Sequence, residues 1–192
     1  MNLTDLSHLI QQRRMLSPPL FTGETVPRAT IEQLLENANW APTHRKTEPW
    51  RFQVVGGEAR EALGDHFQQV YQQHTPEEQF KERKYSKLKE KVLQSSHIIV
   101  IGLRRDPKES VPEWEEVAAV ACAVQNLWLS ASAAGLGGYW SSPKIQMEHI
   151  GDHLSLTENE TCLGFFYLGV AKPVALKGER GDWQEKVTWV EK

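Results

Sequence analysis

Trp40-Ala41-Pro42-Thr43-His44-Arg45-Lys46-Thr47-Glu48-Pro49-Trp50-Arg51-Phe52 is the stretch from which the rest of the chain is best read. It opens where a helix has to stop, because Pro42 removes a backbone donor and disfavours helical geometry at Ala41. It closes by feeding a strand through Pro49. The short loop between the prolines carries His44, Arg45 and Lys46 and is flanked by the indoles of Trp40 and Trp50. Cations and backbone N–H groups beside flat aromatic rings suit a ligand that is anionic at one end and planar at the other, as a nucleotide-like cofactor is. The competing reading is a polar loop pinned by two core tryptophans, and the segment alone leaves both open.

On its N-terminal side, Leu6, Leu9 and Ile10 stand at helical spacing before Arg13-Arg14-Met15, which predicts a helix delivering two arginines at its C-terminal end. Those arginines have two readings: cations complementing the helix dipole, or a guanidinium clamp for phosphate. Thr25 and Pro27 mark the entrance to a second helix carrying Ile31, Leu34, Leu35 and Ala38.

On the C-terminal side, Phe52, Val54 and Val55 predict a strand closed by Gly56-Gly57, and residues 58–73 a helix packed on a core. Lys81 to Lys91 holds six basic residues interleaved with Glu82 and Glu90, the pattern of a solvated helix face rather than a nucleic-acid surface. The apolar run from His97 to Leu103 predicts a central strand buried on both faces. Glu115 to Ala134, preceded by Pro112 and ended by Gly135, predicts a helix of roughly 30 Å. Its many small residues suit a helix that is central to its domain or shared between two subunits. Gly164 to Val170 reads as a further strand, and Val187-Thr188-Trp189-Val190 as a last one, able to pair at a distance or with a second subunit.

Several classes fall away. Gly135-Leu136-Gly137-Gly138 is not a dinucleotide fingerprint, because Trp140 stands where the third glycine belongs and the run follows a helix. His149 and His153, expected on one short helix, lack a third metal ligand, so no metal site is expected. Cys122 and Cys162 read as reduced, buried thiols. With 192 residues, 40% hydrophobic, the whole of 1–192 is expected to form one domain. A net charge of −3 argues against a nucleic-acid partner. No signal-like or membrane-spanning run occurs, so a cytoplasmic protein without a membrane partner is expected. No phosphate-binding loop, nucleophile elbow or side-chain triad can be nominated, so the reactive group of an enzyme built on this chain would be borrowed.

Five segments together resemble the small-subunit branch of the nitroreductase family. They are Gln12-Arg13-Arg14; Ala41-Pro42-Thr43-His44 running to Pro49-Trp50-Arg51-Phe52; Pro112-x-Trp114-Glu115; Gly135 to Ser142; and Gly164-Phe165-Phe166-Tyr167-Leu168-Gly169. The resemblance covers about residues 6 to 190 and implies an α+β fold with a central, mostly antiparallel sheet flanked by helices. It implies a homodimer with FMN at the interface, a C-terminal extension reaching the partner, and ping-pong hydride transfer from NADH or NADPH through flavin N5. The acceptor would be a small molecule such as a nitroaromatic or quinone. No side chain is assigned a catalytic role. By resemblance Arg13, Arg14 and Arg180 hold the phosphate end, Met15 stands where a serine is usual, Trp40 and His44 come from the partner, and Trp140, Ser141 and Ser142 line the remaining side. Lys46 and Glu48 depart from the family's usual residues. Two alternatives stay in view: a flavin enzyme for one specific substrate, by enone reduction or dehalogenation, and a dimer that binds flavin or nucleotide without turnover.

Overall fold

The computed structural model describes residues 2–157 and 159–191. Four strands form one sheet in the order β1-β2-β4-β3, every pairing antiparallel: β1 (Trp50–Gly56), β2 (His97–Arg104), β3 (Leu136–Ser141) and β4 (Glu160–Val170). The helices are α1 (Leu3–Gln12), α2 (Arg28–Asn39), α3 (Ala59–His74), α4 (Glu82–Gln94), α5 (Glu113–Ala133), α6 (Lys144–Glu148) and α7 (Gly151–Leu154).

The unbroken apolar run of β2 is explained by its place between β1 and β4, with helices over both faces. Successive residues of a strand point to opposite sides. Ile99, Ile101 and Leu103 therefore join Phe166 and Leu168 in a core with Ile31 and Leu34 of α2 and Val120, Val124 and Leu127 of α5. Ile98 and Val100 meet Phe165, Phe67 of α3 and Val92 of α4 on the other face. The register of β2 on β4 slips between Ile101 and Gly102, beside Gly164 at φ +134°. A Cβ on Gly164 would lie 2.5 Å from Trp140 Nε1, so glycine is required for that indole to cross the sheet.

Three expectations are corrected and one open reading is narrowed. His149 and His153 do not share a helix: His149 is the C-cap of α6, at ψ 8°, and His153 lies in α7. Each ring stacks on α3 instead, His149 on His74 at 3.8 Å and His153 on His66 at 4.7 Å. Cys122 is exposed on the outer face of α5, whereas Cys162 is buried, and burial pushes its thiol up to about 11. Within one protomer Val187 to Val190 pair with no other strand among the described residues, and Val190 stays 94% exposed. The loop from Trp40 to Trp50 is pinned by one indole only. Trp50 is 6% exposed with Nε1 donating to Asn39 Oδ1, while Trp40 is 79% exposed. Among the described residues no helix is long and apolar enough to cross a membrane, and no three His, Cys, Asp or Glu side chains are grouped to hold a metal ion.

Candidate functional site

The first helix begins with a reciprocal cap, Asp5 N–H donating to Asn2 Oδ1 and Asn2 N–H to Asp5 Oδ2, each at 3.0 Å. It ends at Arg13, whose backbone turns to ψ 127°. The chain then follows the outer edge of β3, where Leu16 N–H donates to the carbonyl of Gly138 at 3.0 Å. That bond holds the residues just after the arginine pair against the strand that carries Trp140 and Ser141.

The Arg13 guanidinium lies 4.6 Å from the ring of Trp128 on α5. Cation and indole face attract by charge and quadrupole. Arg14 turns the other way. Its Nε donates to Leu176 O at 3.1 Å, and its Nη1 to Gln11 O and Arg13 O at 2.5 and 2.8 Å. The C-terminal segment passes close over this side chain at Gly178, where an added Cβ would come within 2.2 Å of Arg14 Nη2.

That closure brings Arg180 to the same place. Arg13, Arg14 and Arg180 line one cleft of about 550 Å³ with His8, Gln12 and Gln125. Among the described residues no carboxylate stands within 4.0 Å of the three guanidinium groups. Burial first, then the charges of Arg180 and Arg14, hold Arg13 below its usual pKa. Gathered cations without a counter-charge repel one another, and an anion in the cleft removes that repulsion. Met15, 51% exposed, offers this site no donor.

Trp140 is held by Nε1–H donation to Leu163 O at 3.2 Å, which fixes the end of β3. Ser141 is half-buried and Ser142 exposed, and among the described residues neither hydroxyl bonds to protein. Trp40 and His44 stand on other surfaces. Trp40 lines a broad apolar groove between α1, α2 and α5, its Nε1 bonded to Glu36. His44 Nδ1 lies 2.5 Å from Glu115 Oε2 in the first turn of α5. The turn holding it places Arg45, Lys46 and Glu48 at φ 51°, 55° and 43°, a left-handed region costly for residues with a Cβ.

The structure thus groups Arg13, Arg14 and Arg180, sets Met15 and Trp140 to Ser142 along the neighbouring edge, and keeps Trp40 and His44 apart from them within one protomer. Trp128 and Gly178 were missed from sequence. Trp128 reads as one more apolar residue of a long helix, and its indole N–H is buried without a partner among the described residues. Gly178 carries no signal at all, because its role lies in an approach between distant segments.

The nitroreductase family model matches residues 10–170, and the chain belongs to the nitroreductase family. It is 32% identical over 157 residues to YfhC of Bacillus subtilis, provisionally named an NAD(P)H nitroreductase, covering 81% of this chain and 78% of that one. A nitroreductase-like family protein from Bacillus cereus superimposes with a TM-score of 0.82 at 26% identity, covering 100% of this chain and 98% of that one. NfnB of Mycobacterium smegmatis, described as an FMN-dependent nitroreductase in complex with NADPH, has a TM-score of 0.80 at 18% identity, covering 99% of this chain and 100% of that one. The last likeness speaks to the fold alone.

Proposed function

We propose that the protein is an FMN-dependent oxidoreductase that draws hydride from NADH or NADPH and delivers it to nitroaromatic, quinone or related acceptors, working as a cytoplasmic homodimer. The observation that carries this reading is the convergence of Arg13, Arg14 and Arg180 on a cleft beside the end of β3. A phosphate monoester carries nearly two negative charges and matches guanidinium forks. The donor set therefore fits the phosphate end of FMN.

When bound, FMN would supply the hydride chemistry at its N5, exchanging donor for acceptor in a ping-pong cycle. The chain's own residues bind and orient. Arg13 and Arg180 offset phosphate charge, and Arg14 ties down the segment that carries Arg180. Trp140, fixed through Leu163, steadies Ser141 and Ser142, whose hydroxyls are free to meet the ring edge.

A dimer follows from what one protomer leaves uncovered. Leu3, Leu6 and Ile10 of α1, together with Trp40, Trp114 and Val117, are exposed apolar residues around α5 and its neighbours. Of these, Leu6 and Trp40 line one groove with Leu9 and Leu129, and exposed apolar surface of this kind marks association. A partner covering it would supply Trp40 and His44 to the site, with His44 already oriented by Glu115.

The purified protein is expected to show flavin absorption bands and to release about one FMN per chain on heating, and anaerobic mixing with NADPH is expected to bleach those bands. A colourless protein that takes up no added FMN would overturn this reading.

A further inference from the structure

The basic helix α4 faces two ways. Lys89 turns to α3, its Nζ 2.5 Å from Glu61 Oε1 and 2.6 Å from Asp65 Oδ1. Lys84, Lys87 and Lys91 recur at helical spacing on another stripe. With Lys81 and Arg83 they line a cleft of about 390 Å³, whose far side includes Ser141 and Tyr167. Among the described residues none of these five cations is within 4.0 Å of a carboxylate, and the helix's own acids, Glu82 and Glu90, do not line the cleft. Two of the cations are steadied over aromatic rings. Lys84 Nζ lies 4.8 Å from the Tyr71 ring centroid and Lys91 Nζ 5.3 Å from that of Tyr139. Tyr167, 2% exposed, is a neutral phenol, because burial and then Tyr139 raise its pKa.

Ser141 joins this cleft to the candidate site, since it closes the strand that carries Trp140. A ligand reaching from one to the other meets five positive charges. Nitroaromatic and quinone acceptors are for the most part uncharged and have no use for them. A reduced nicotinamide dinucleotide carries a pyrophosphate, and the 2′-phosphorylated form adds nearly two further charges.

We infer that the α4 cleft receives the phosphate-bearing adenosine half of the hydride donor and selects NADPH over NADH. This rests on the hydride-transfer reading of the neighbouring site.

The test is calorimetric titration of the FMN-supplemented protein with 2′,5′-ADP and with 5′-AMP, flavin content being recorded in parallel. The wild type is expected to bind 2′,5′-ADP about tenfold or more tightly than 5′-AMP, with the difference shrinking as salt is raised. Lys84→Gln with Lys87→Gln should abolish most of that difference and lower the NADPH-to-NADH ratio of kcat/KM by a similar factor. Lys89→Gln removes the same charge from the same helix and should leave both unchanged. Equal affinity for the two nucleotides in the wild type, an unaltered preference in the double variant, or an equal loss for both nucleotides would each overturn the assignment. Full flavin occupancy without discrimination sinks the cleft alone, whereas discrimination in a protein that takes up no FMN sinks the flavin reading and leaves the cleft standing.

Discussion

Arg14 Nε donates to the main-chain carbonyl of Leu176 at 3.1 Å, joining the end of the first helix to the C-terminal segment across 162 positions of chain. Arg13, its neighbour, makes no such tie among the described residues and sits over Trp128 in the cleft. Adjacent residues of one type therefore do different work, and substitution should separate them.

Arg13→Ala is expected to weaken FMN binding by about tenfold or more with little loss of stability, because it removes a charge-assisted partner of phosphate from a half-exposed position. Arg14→Ala should weaken FMN binding and also speed proteolysis beyond residue 172, since three carbonyl bonds go with it. Flavin titration with limited trypsin digestion checks both. Identical digestion of the two variants would refute the division.

Glu116, 1% exposed, accepts from Arg105 Nη1 at 2.6 Å and from Asp106 N–H at 2.9 Å, pinning the end of β2 to α5. Glu116→Ala leaves a guanidinium and a backbone donor without their partner. About 3 kcal/mol of destabilisation is expected by urea unfolding, and less for Glu116→Gln, which can still accept from the backbone.

His97 is held below its ordinary pKa of 6.5, first by burial and then by Arg60. The unfolded chain therefore binds a proton at a higher pH than the folded one. This contribution to stability is fully present above 6.5 and is lost as pH falls through the folded value. Unfolding midpoints measured from pH 7.5 down to 5 should fall more steeply for the wild type than for His97→Gln, and parallel slopes would exclude His97 as the source.

The exposed face of α5 carries Val117 and Cys122. If that face is the subunit contact, Val117→Arg with Cys122→Arg should shift sedimentation to the monomer and release bound flavin together, because two guanidinium groups would be desolvated without partners. A monomer that keeps its full flavin would show that one protomer suffices for the site.

Legibility in the sequence followed the range of the interactions involved. The strand at His97, the long helix ending at Gly135 and the arginine pair behind Leu6, Leu9 and Ile10 depend on local periodicity, and each was readable. The sheet order was not, since it depends on which edges meet. Arg180 could be tied to Arg13 and Arg14 only by resemblance, because their meeting is an approach between segments at opposite ends of the chain. The charged run on α4 read as one solvated face, and pairing of Lys89 with Glu61 and Asp65 divided it in two. The Val187 to Val190 segment shows the limit of β-propensity, which names a residue's preference and not its partner.

The left-handed turn at Arg45, Lys46 and Glu48 also bears on how this protein could be altered. Glycine at any of the three would relieve conformational strain of about 1 kcal/mol or more and make the isolated chain harder to melt. It would also widen the range of orientations open to His44. With His44 meeting the cofactor as proposed, thermostability and flavin affinity are then expected to move in opposite directions at these positions, so a library selected for heat resistance alone would accumulate glycines there and lose flavin.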